Sequence, residues 1–262
     1  MTLLQAIILA IVEGLTEFLP ISSTGHMVLT SYLMGIEEND FVKSYEVIIQ
    51  FGAILAVLVV YWRRFLPHWS FYKKLFIAFL PTAMIGFLVK DYVDILLGNA
   101  QVVAWSFILG GIFLILTDKF FAHLNHEGRT TEQLTYKDSL ILGLCQSVAM
   151  IPGVSRSAAS IIGGLSLRMN RKEAAEFSFF LGVPTLAAAT LYKTLKIYKT
   201  IEPEQISFLL VGNIVAFCVA IIAIKSFIRF LSSHGFKYFG YYRILMGLIF
   251  LVMIYSGVEL KI

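Results

Sequence analysis

Six stretches of this chain read as continuous apolar runs, at about residues 44–62, 73–90, 101–117, 173–192, 206–224 and 239–258. Each equals or approaches the roughly 20 residues an α-helix needs to cross the hydrocarbon layer of a bilayer. Two further stretches, about 2–34 and 138–167, are apolar at both ends and polar in the middle. Neither reads as a clean span, and neither is long enough for two. A pair of short helices that enters and returns on one side fits both, since non-helical backbone at that depth must be surrounded by protein or a wet cavity. The pattern predicts an all-α polytopic membrane protein, with six full transmembrane helices plus two re-entrant helical hairpins in one integral membrane domain.

Order along the chain adds an internal repeat. "FLPISSTG" at 18–25 parallels "MIPGVSRS" at 150–157, proline on proline at an offset of 132. "EVIIQFGAIL" from Glu46 parallels "EFSFFLGVPT" from Glu176, glycine on glycine at an offset of 130. A hairpin followed by three spans reverses the direction of the next hairpin, so the pseudo-repeat halves, about 1–120 and 138–262, have inverted topology.

Composition agrees. Of 262 residues 58% are hydrophobic and 15% charged, against about half and a quarter in soluble domains. "MTLLQAIILAIVEGL" has neither a basic n-region nor a small-residue cleavage site, and is expected to be mature structure. Cys145 and Cys218 lie in apolar surroundings without metal spacing, which suggests packed thiols.

A net charge of +4 does not indicate nucleic acid, because the positive-inside bias accounts for it. If the chain before residue 44 returns to the outside, 14 of the 21 Lys and Arg fall on the inner side, Arg63, Arg64, Lys74, Arg129, Arg171 and Arg243 among them. Six lie outside, Arg156 is left for the interior, and both termini face out. His68, His123, His126 and His234 fall in inner loops and are expected to be solvated. Trp62 and Trp69 fit an interfacial belt.

The chemistry lies in the two polar breaks. Glu13 and Glu17 are four apart and share a helix face. A charge near the bilayer centre costs about 2.5–3.5 kcal/mol on insertion scales, so two require a cation, a proton or an arginine between them, unless they face water near an interface. "PISSTGH" offers Ser22, Ser23, Thr24 and His26 around a proline break. Unpaired amides and hydroxyls there make an anion-accepting concavity, or else simply cap the next helix. His26 is a candidate base or nucleophile beside Ser23. In "PGVSRSAAS", Arg156 supplies a guanidinium suited to phosphate, with Ser155 and Ser157 as further donors; a structural ion pair with a glutamate is the plainer alternative. Glu46 and Gln50 share a face of the third segment and are candidates to line the same cavity. The small residues at 110–111 and 187–190 permit close helix approach or a groove.

"EGLTEFLPISSTGH" and "PGVSRS", with "YEVIIQFGAILAV" and "EFSFFLGVPT", resemble the undecaprenyl-pyrophosphate phosphatase family of bacteria, also known for bacitracin resistance. The likeness runs over almost the whole chain. It implies an integral enzyme of the bacterial cell (inner) membrane that removes the terminal phosphate of a C55 isoprenoid diphosphate lipid, with the active site on the outer side. It implies an acidic pair at Glu13 and Glu17, a nucleophile region from Ser23 to His26, and a phosphate-binding Arg156 beside Ser155 and Ser157. It also implies a divalent cation, Mg or Ca, which the residues support only through Glu13 and Glu17. Ser160 stands where the family motif usually has threonine, and the hydroxyl is kept.

The mechanism expected is phosphoryl transfer, with Ser23 or His26 as nucleophile and His26 or Glu17 taking the proton. The rival is a polyprenyl-phosphate flippase or secondary transporter, since inverted repeats and broken helices are carrier features. Beyond the lipid substrate and membrane lipids the residues specify no partner, and they say nothing of oligomeric state.

Overall fold

The computed structural model describes residues 1–37, 39–66, 69–97, 99–121 and 128–258. Eleven α-helices are seen among them: α1 (Leu3–Thr16), α2 (Ser23–Leu33), α3 (Asp40–Ile48), α4 (Gln50–Val60), α5 (Trp69–Leu97), α6 (Ala100–Phe120), α7 (Tyr136–Ser147), α8 (Arg156–Ser166), α9 (Arg171–Ile197), α10 (Pro203–His234) and α11 (Lys237–Tyr255). Six units are long and apolar enough to cross a membrane: Asp40–Val60, Trp69–Lys90, Ala100–Phe120, Arg171–Ile197, Pro203–His234 and Lys237–Tyr255. They coincide with the six apolar runs. Exposed side chains such as Phe87, Leu88, Leu210 and Ile222 give these helices an apolar outer surface.

The two interrupted segments each form a pair of short helices that pack on one another, α1 on α2 and α7 on α8. Pro20 and Pro152 explain the interruptions, because proline lacks the amide a continuing helix requires and disfavours helical backbone just before it. Chain entry into α1 and α7 is fixed by capping boxes, Thr2 with Gln5 and Thr135 with Asp138. Burial works against the Asp138 carboxylate, yet Arg129 and Thr135 together hold it below the ordinary range.

The first span differs from the uniform helix expected. It breaks at Ile49, between α3 and α4, where the Gly52 amide donates to Asn213 Oδ1 at 2.7 Å and to Ile49 O at 3.1 Å. A partner on α10 thus draws that amide away from the regular ladder. Gly52 also lies directly against the Asn213 carbonyl, where a Cβ would collide.

Helix packing puts α1 on α10, α5 on α7, α4 on both α9 and α10, and α6 on α11. The main core, with Phe18, Phe177, Phe179, Phe180 and Phe227, sits between these helices. Gly111 and Gly240 allow α6 and α11 to touch, since a Cβ on either would lie 2.6 Å from the other's carbonyl oxygen.

Charged side chains collect at loops joining the spans. Arg64 pairs with Glu173 (2.8 Å), Glu132 (3.1 Å) and Glu176 (3.6 Å), and Arg171 with Asp118 (2.6 Å). These belong to the side expected to be inner. Arg243 does not join them: it is fully buried, against its place in the inner-loop count. Cys145 is half-buried as expected, but Cys218 is exposed on α10, because that face of the helix has no protein neighbour. His234 is exposed at the end of α10, whereas His68, His123 and His126 lie outside the described residues.

Replacing Gly52 by Ala should force α4 off α10, at a cost of about 1–3 kcal/mol for overpacking. A thermal unfolding scan in detergent should show a midpoint lowered by several degrees; an unchanged midpoint would contradict this contact.

Candidate functional site

The two breaks meet. Ser157, on the first turn of α8, donates its hydroxyl to Phe18 O at 2.8 Å. Each break also ends on a serine with left-handed backbone, Ser22 at φ 69° and Ser155 at φ 75°. A non-glycine residue there costs roughly 1–2 kcal/mol and persists where the surroundings enforce it. Both serines immediately precede 11-residue helices. Ser155 Oγ accepts from the Ala158 amide at 3.2 Å, but Ser22 makes no such cap. The first turn of α2 thus keeps amides without a side-chain acceptor, a donor-rich helix terminus.

Arg156 opens α8 and reaches back to the first break. Its Nη2 donates to Glu17 Oε1 at 2.8 Å, and its Nη1 to Ser178 O at 2.7 Å. The other oxygen of Glu17, Oε2, accepts from Ser23 Oγ at 2.5 Å. A continuous chain of charge-assisted bonds therefore runs Arg156–Glu17–Ser23. Gly182 on α9 makes room for the guanidinium, since a Cβ there would sit 2.5 Å from Nη1. Phe18 lies under it, with the guanidinium carbon 5.6 Å from the ring centroid. Arg156 Nε is buried with no partner, leaving a donor for a ligand.

Glu13, one turn before Glu17, is fully buried, and neither carboxylate oxygen has a hydrogen-bond partner. Glu46 Oε1 is likewise buried and unpartnered. The charges of Glu17, Glu46 and Arg156 all act on Glu13. An isolated carboxylate is costly to bury, so this arrangement calls for a proton or a cation. Unpaired carboxylate oxygens are the donors that Mg or Ca prefers, so Glu13 and Glu46 fit a divalent ion chemically, whereas both oxygens of Glu17 are already engaged by Arg156 and Ser23. Among the described residues, however, no three His, Cys, Asp or Glu side chains form a ready-made metal cluster, so other oxygens would have to complete the coordination.

His26 is held at both ring nitrogens. Nδ1 lies 2.7 Å from Ser22 O, and Nε2 2.7 Å from Tyr242 Oη. A carbonyl only accepts, so Nδ1 carries the proton and, in the neutral ring, Nε2 accepts from the phenol. Tyr242 stacks on the imidazole, with 6° between planes and centroids 5.6 Å apart, while Phe107 closes another side at 5.6 Å. Ser23 is thus engaged by Glu17 and not by His26.

Of the residues expected from sequence, Glu13, Glu17, Ser22, Ser23, His26, Ser155, Arg156 and Ser157 are brought to the junction of the breaks. Thr24 is exposed, and Gln50 is half-buried at the start of α4. Ser157 donates its hydroxyl to Phe18 O, Ser155 Oγ accepts from the Ala158 amide, and Ser160 lies 2.7 Å from Ser178 Oγ. The sequence reading missed Tyr242, Arg243, Ser178 and Gly182. For Arg243 a signal was present: it lies within the apolar run 239–258, where a loop residue would not be.

The model of the bacitracin resistance protein BacA family matches residues 6–249. An undecaprenyl-diphosphatase of Bdellovibrio bacteriovorus is 68% identical over 261 residues, covering 100% of this chain and 99% of that protein. Proteins of the same name from Flavobacterium johnsoniae and Aquifex aeolicus are 50% and 47% identical, over 97% and 95% of this chain and 96% and 98% of their own lengths. A match of this extent takes in every residue at the junction of the breaks, and the chain belongs to the BacA family.

Proposed function

We propose that this chain is an integral-membrane undecaprenyl-diphosphatase, hydrolysing undecaprenyl diphosphate to undecaprenyl phosphate and inorganic phosphate and so recycling the lipid carrier of cell-wall synthesis. The name shared by its full-length relatives supports this activity. The observation that carries the mechanism is Ser23 Oγ, 2.5 Å from a carboxylate whose second oxygen is gripped by Arg156 at 2.8 Å. A carrier needs broken helices and a buried site, but has no use for a hydroxyl held on a base. That favours the phosphatase over a flippase or transporter.

In this reading Ser23 Oγ attacks the terminal phosphorus and its proton passes to Glu17 Oε2. The bond from that phosphorus to the bridging oxygen breaks, and undecaprenyl phosphate leaves. Water then attacks the phosphoserine, the P–Oγ bond breaks, inorganic phosphate departs and Ser23 recovers a proton. Arg156, through its free Nε and remaining N–H groups, and the amides opening α2 offset charge on the phosphoryl oxygens. The contact with Arg156 fixes the Glu17 carboxylate with Oε2 beside the Ser23 hydroxyl. Glu13 and Glu46 would hold a divalent cation, which would supply charge neutralisation at the diphosphate. For His26 to act as the nucleophile, Tyr242 would first have to leave Nε2.

The paired helices α1–α2 and α7–α8 act as re-entrant hairpins of two inverted halves. Their like breaks and the matching contacts α1–α10 and α5–α7 support this. In this reading the site opens to the outer side of the bacterial inner membrane, the inner side being assigned to the arginine-rich loops by the positive-inside bias. The isoprenoid stays among lipid tails against the apolar outer faces.

Purified protein in detergent should release phosphate from undecaprenyl diphosphate with Mg or Ca present; if none is released, transport becomes the better reading. Arg156→Ala and Glu17→Ala should each lose at least about 100-fold in kcat while remaining folded. Rapid quenching should trap phosphate on Ser23, whereas label on His26 would overturn the serine assignment. Chelation should abolish turnover, and Glu13→Gln should raise the Mg concentration for half-maximal rate at least tenfold; an unchanged requirement would remove Glu13 from the cation site.

A further inference from the structure

Among the described residues Arg243 is the largest fully buried side chain, and it forms no ion pair. Its guanidinium donates instead to five carbonyl oxygens: Pro20 (3.2 Å), Gly153 (2.8 Å), Val154 (3.1 Å), Ser106 (2.9 Å) and Phe107 (3.4 Å). The first belongs to one helix break, the next two to the other, and the last two to α6. Phe107 lies beneath, with the guanidinium carbon 5.3 Å from its ring centroid. Gly110 leaves the space the guanidinium fills, for a Cβ there would collide with Nη2.

Breaking a helix frees acceptors as well as donors. Amides suit an anion, but a carbonyl oxygen carries partial negative charge and repels one. An unpaired buried carbonyl is also costly in itself. Only a planar group with five N–H donors can gather so many oxygens at once, and a lysine ammonium with three cannot. The charge is meanwhile left without a carboxylate to balance it. Arg243 acts electrostatically on His26, and its neighbour Tyr242 holds that ring.

We propose that Arg243 is a positioning residue of this site: it occupies the carbonyl oxygens of both breaks, so that they meet the diphosphate with donors, and its unbalanced charge is complemented by the phosphates. The proposal rests on the diphosphatase reading. It makes α11 a third structural arm of the site, although Arg243 itself touches no reacting atom.

Its two parts separate by substitution. Arg243→Lys keeps the charge and loses most of the carbonyl ties: kcat should fall about tenfold, while the inhibition constant of inorganic diphosphate stays within about threefold. Arg243→Gln loses both: kcat should fall at least 100-fold and the inhibition constant rise at least tenfold. Gly110→Ala displaces the guanidinium without altering charge, and should lower kcat as Arg243→Lys does. A solely structural residue would lower the thermal midpoint but leave diphosphate affinity unchanged in the folded fraction. If Arg243→Gln folds and keeps both constants within threefold of wild type, the proposal is wrong. If it does not fold, wild-type kcat in both Arg243→Lys and Gly110→Ala refutes it instead. Should wild type bind inorganic diphosphate without hydrolysing the lipid, the diphosphatase reading fails, and calorimetric binding to wild type and Arg243→Gln still decides the charge.

Discussion

Burial of charge in an apolar chain is costly unless other groups answer it, and for Glu17 and Arg156 the answer runs between the two helix breaks. Glu17 comes from the first break and Arg156 from the second, and their 2.8 Å contact joins segments that are otherwise remote in sequence. Removing one partner of such a pair typically costs about 3–5 kcal/mol, because the survivor is left buried and uncompensated. Any displacement of either hairpin therefore carries that penalty, and Ser23 is positioned by the same contact. One carboxylate makes both contacts: one oxygen of Glu17 bonds Arg156 across the breaks and the other holds the Ser23 hydroxyl.

The scaffold exists to make that contact possible. Glycines let backbone approach backbone where side chains would keep helices apart, at Gly52 of α4 against α10 and at Gly111 of α6 against α11. Gly182 performs the same service for a side chain, clearing the volume of the Arg156 guanidinium. Polar atoms inside the bundle are mostly matched by neighbours, as Tyr45 Oη is by Ala6 O and Ser160 Oγ by Ser178 Oγ. Against that background, both oxygens of Glu13, Oε1 of Glu46 and Nε of Arg156 are buried without partners beside the junction of the breaks, and Oε1 of Gln146 is likewise buried without a partner.

Much of this was legible in the sequence, because hydrophobic run length and proline are local signals. The six spans and both polar breaks follow from them, as does the choice of Glu13, Glu17, Ser23, His26 and Arg156. What was not legible depends on distant partners. The break at Ile49 needs Asn213, 161 residues from Gly52, and no local pattern announces it. Tyr242 looks like one more interfacial aromatic until α11 is packed beside α2. Arg243 was assigned to a loop by a charge count, although its place inside an apolar run argued against that.

The proline match also concealed a more telling equivalence. Pro20 is followed by one residue before the strained Ser22, whereas Pro152 is followed by two, of which Gly153 takes the extra turn at φ 87°. Aligning the prolines therefore sets Ser23 against Ser155. Aligning the left-handed residues sets Ser22 on Ser155, and places Ser23 and Arg156 at the same point, the first residue of an 11-residue helix. One backbone device thus presents a serine hydroxyl at one break and a guanidinium at the other. Two like half-sites would repel or duplicate each other; phosphoryl transfer needs opposite functions facing across one phosphorus. The local geometry repeats, the chemistry does not, and that difference lets a pair of similar helix breaks act as one site.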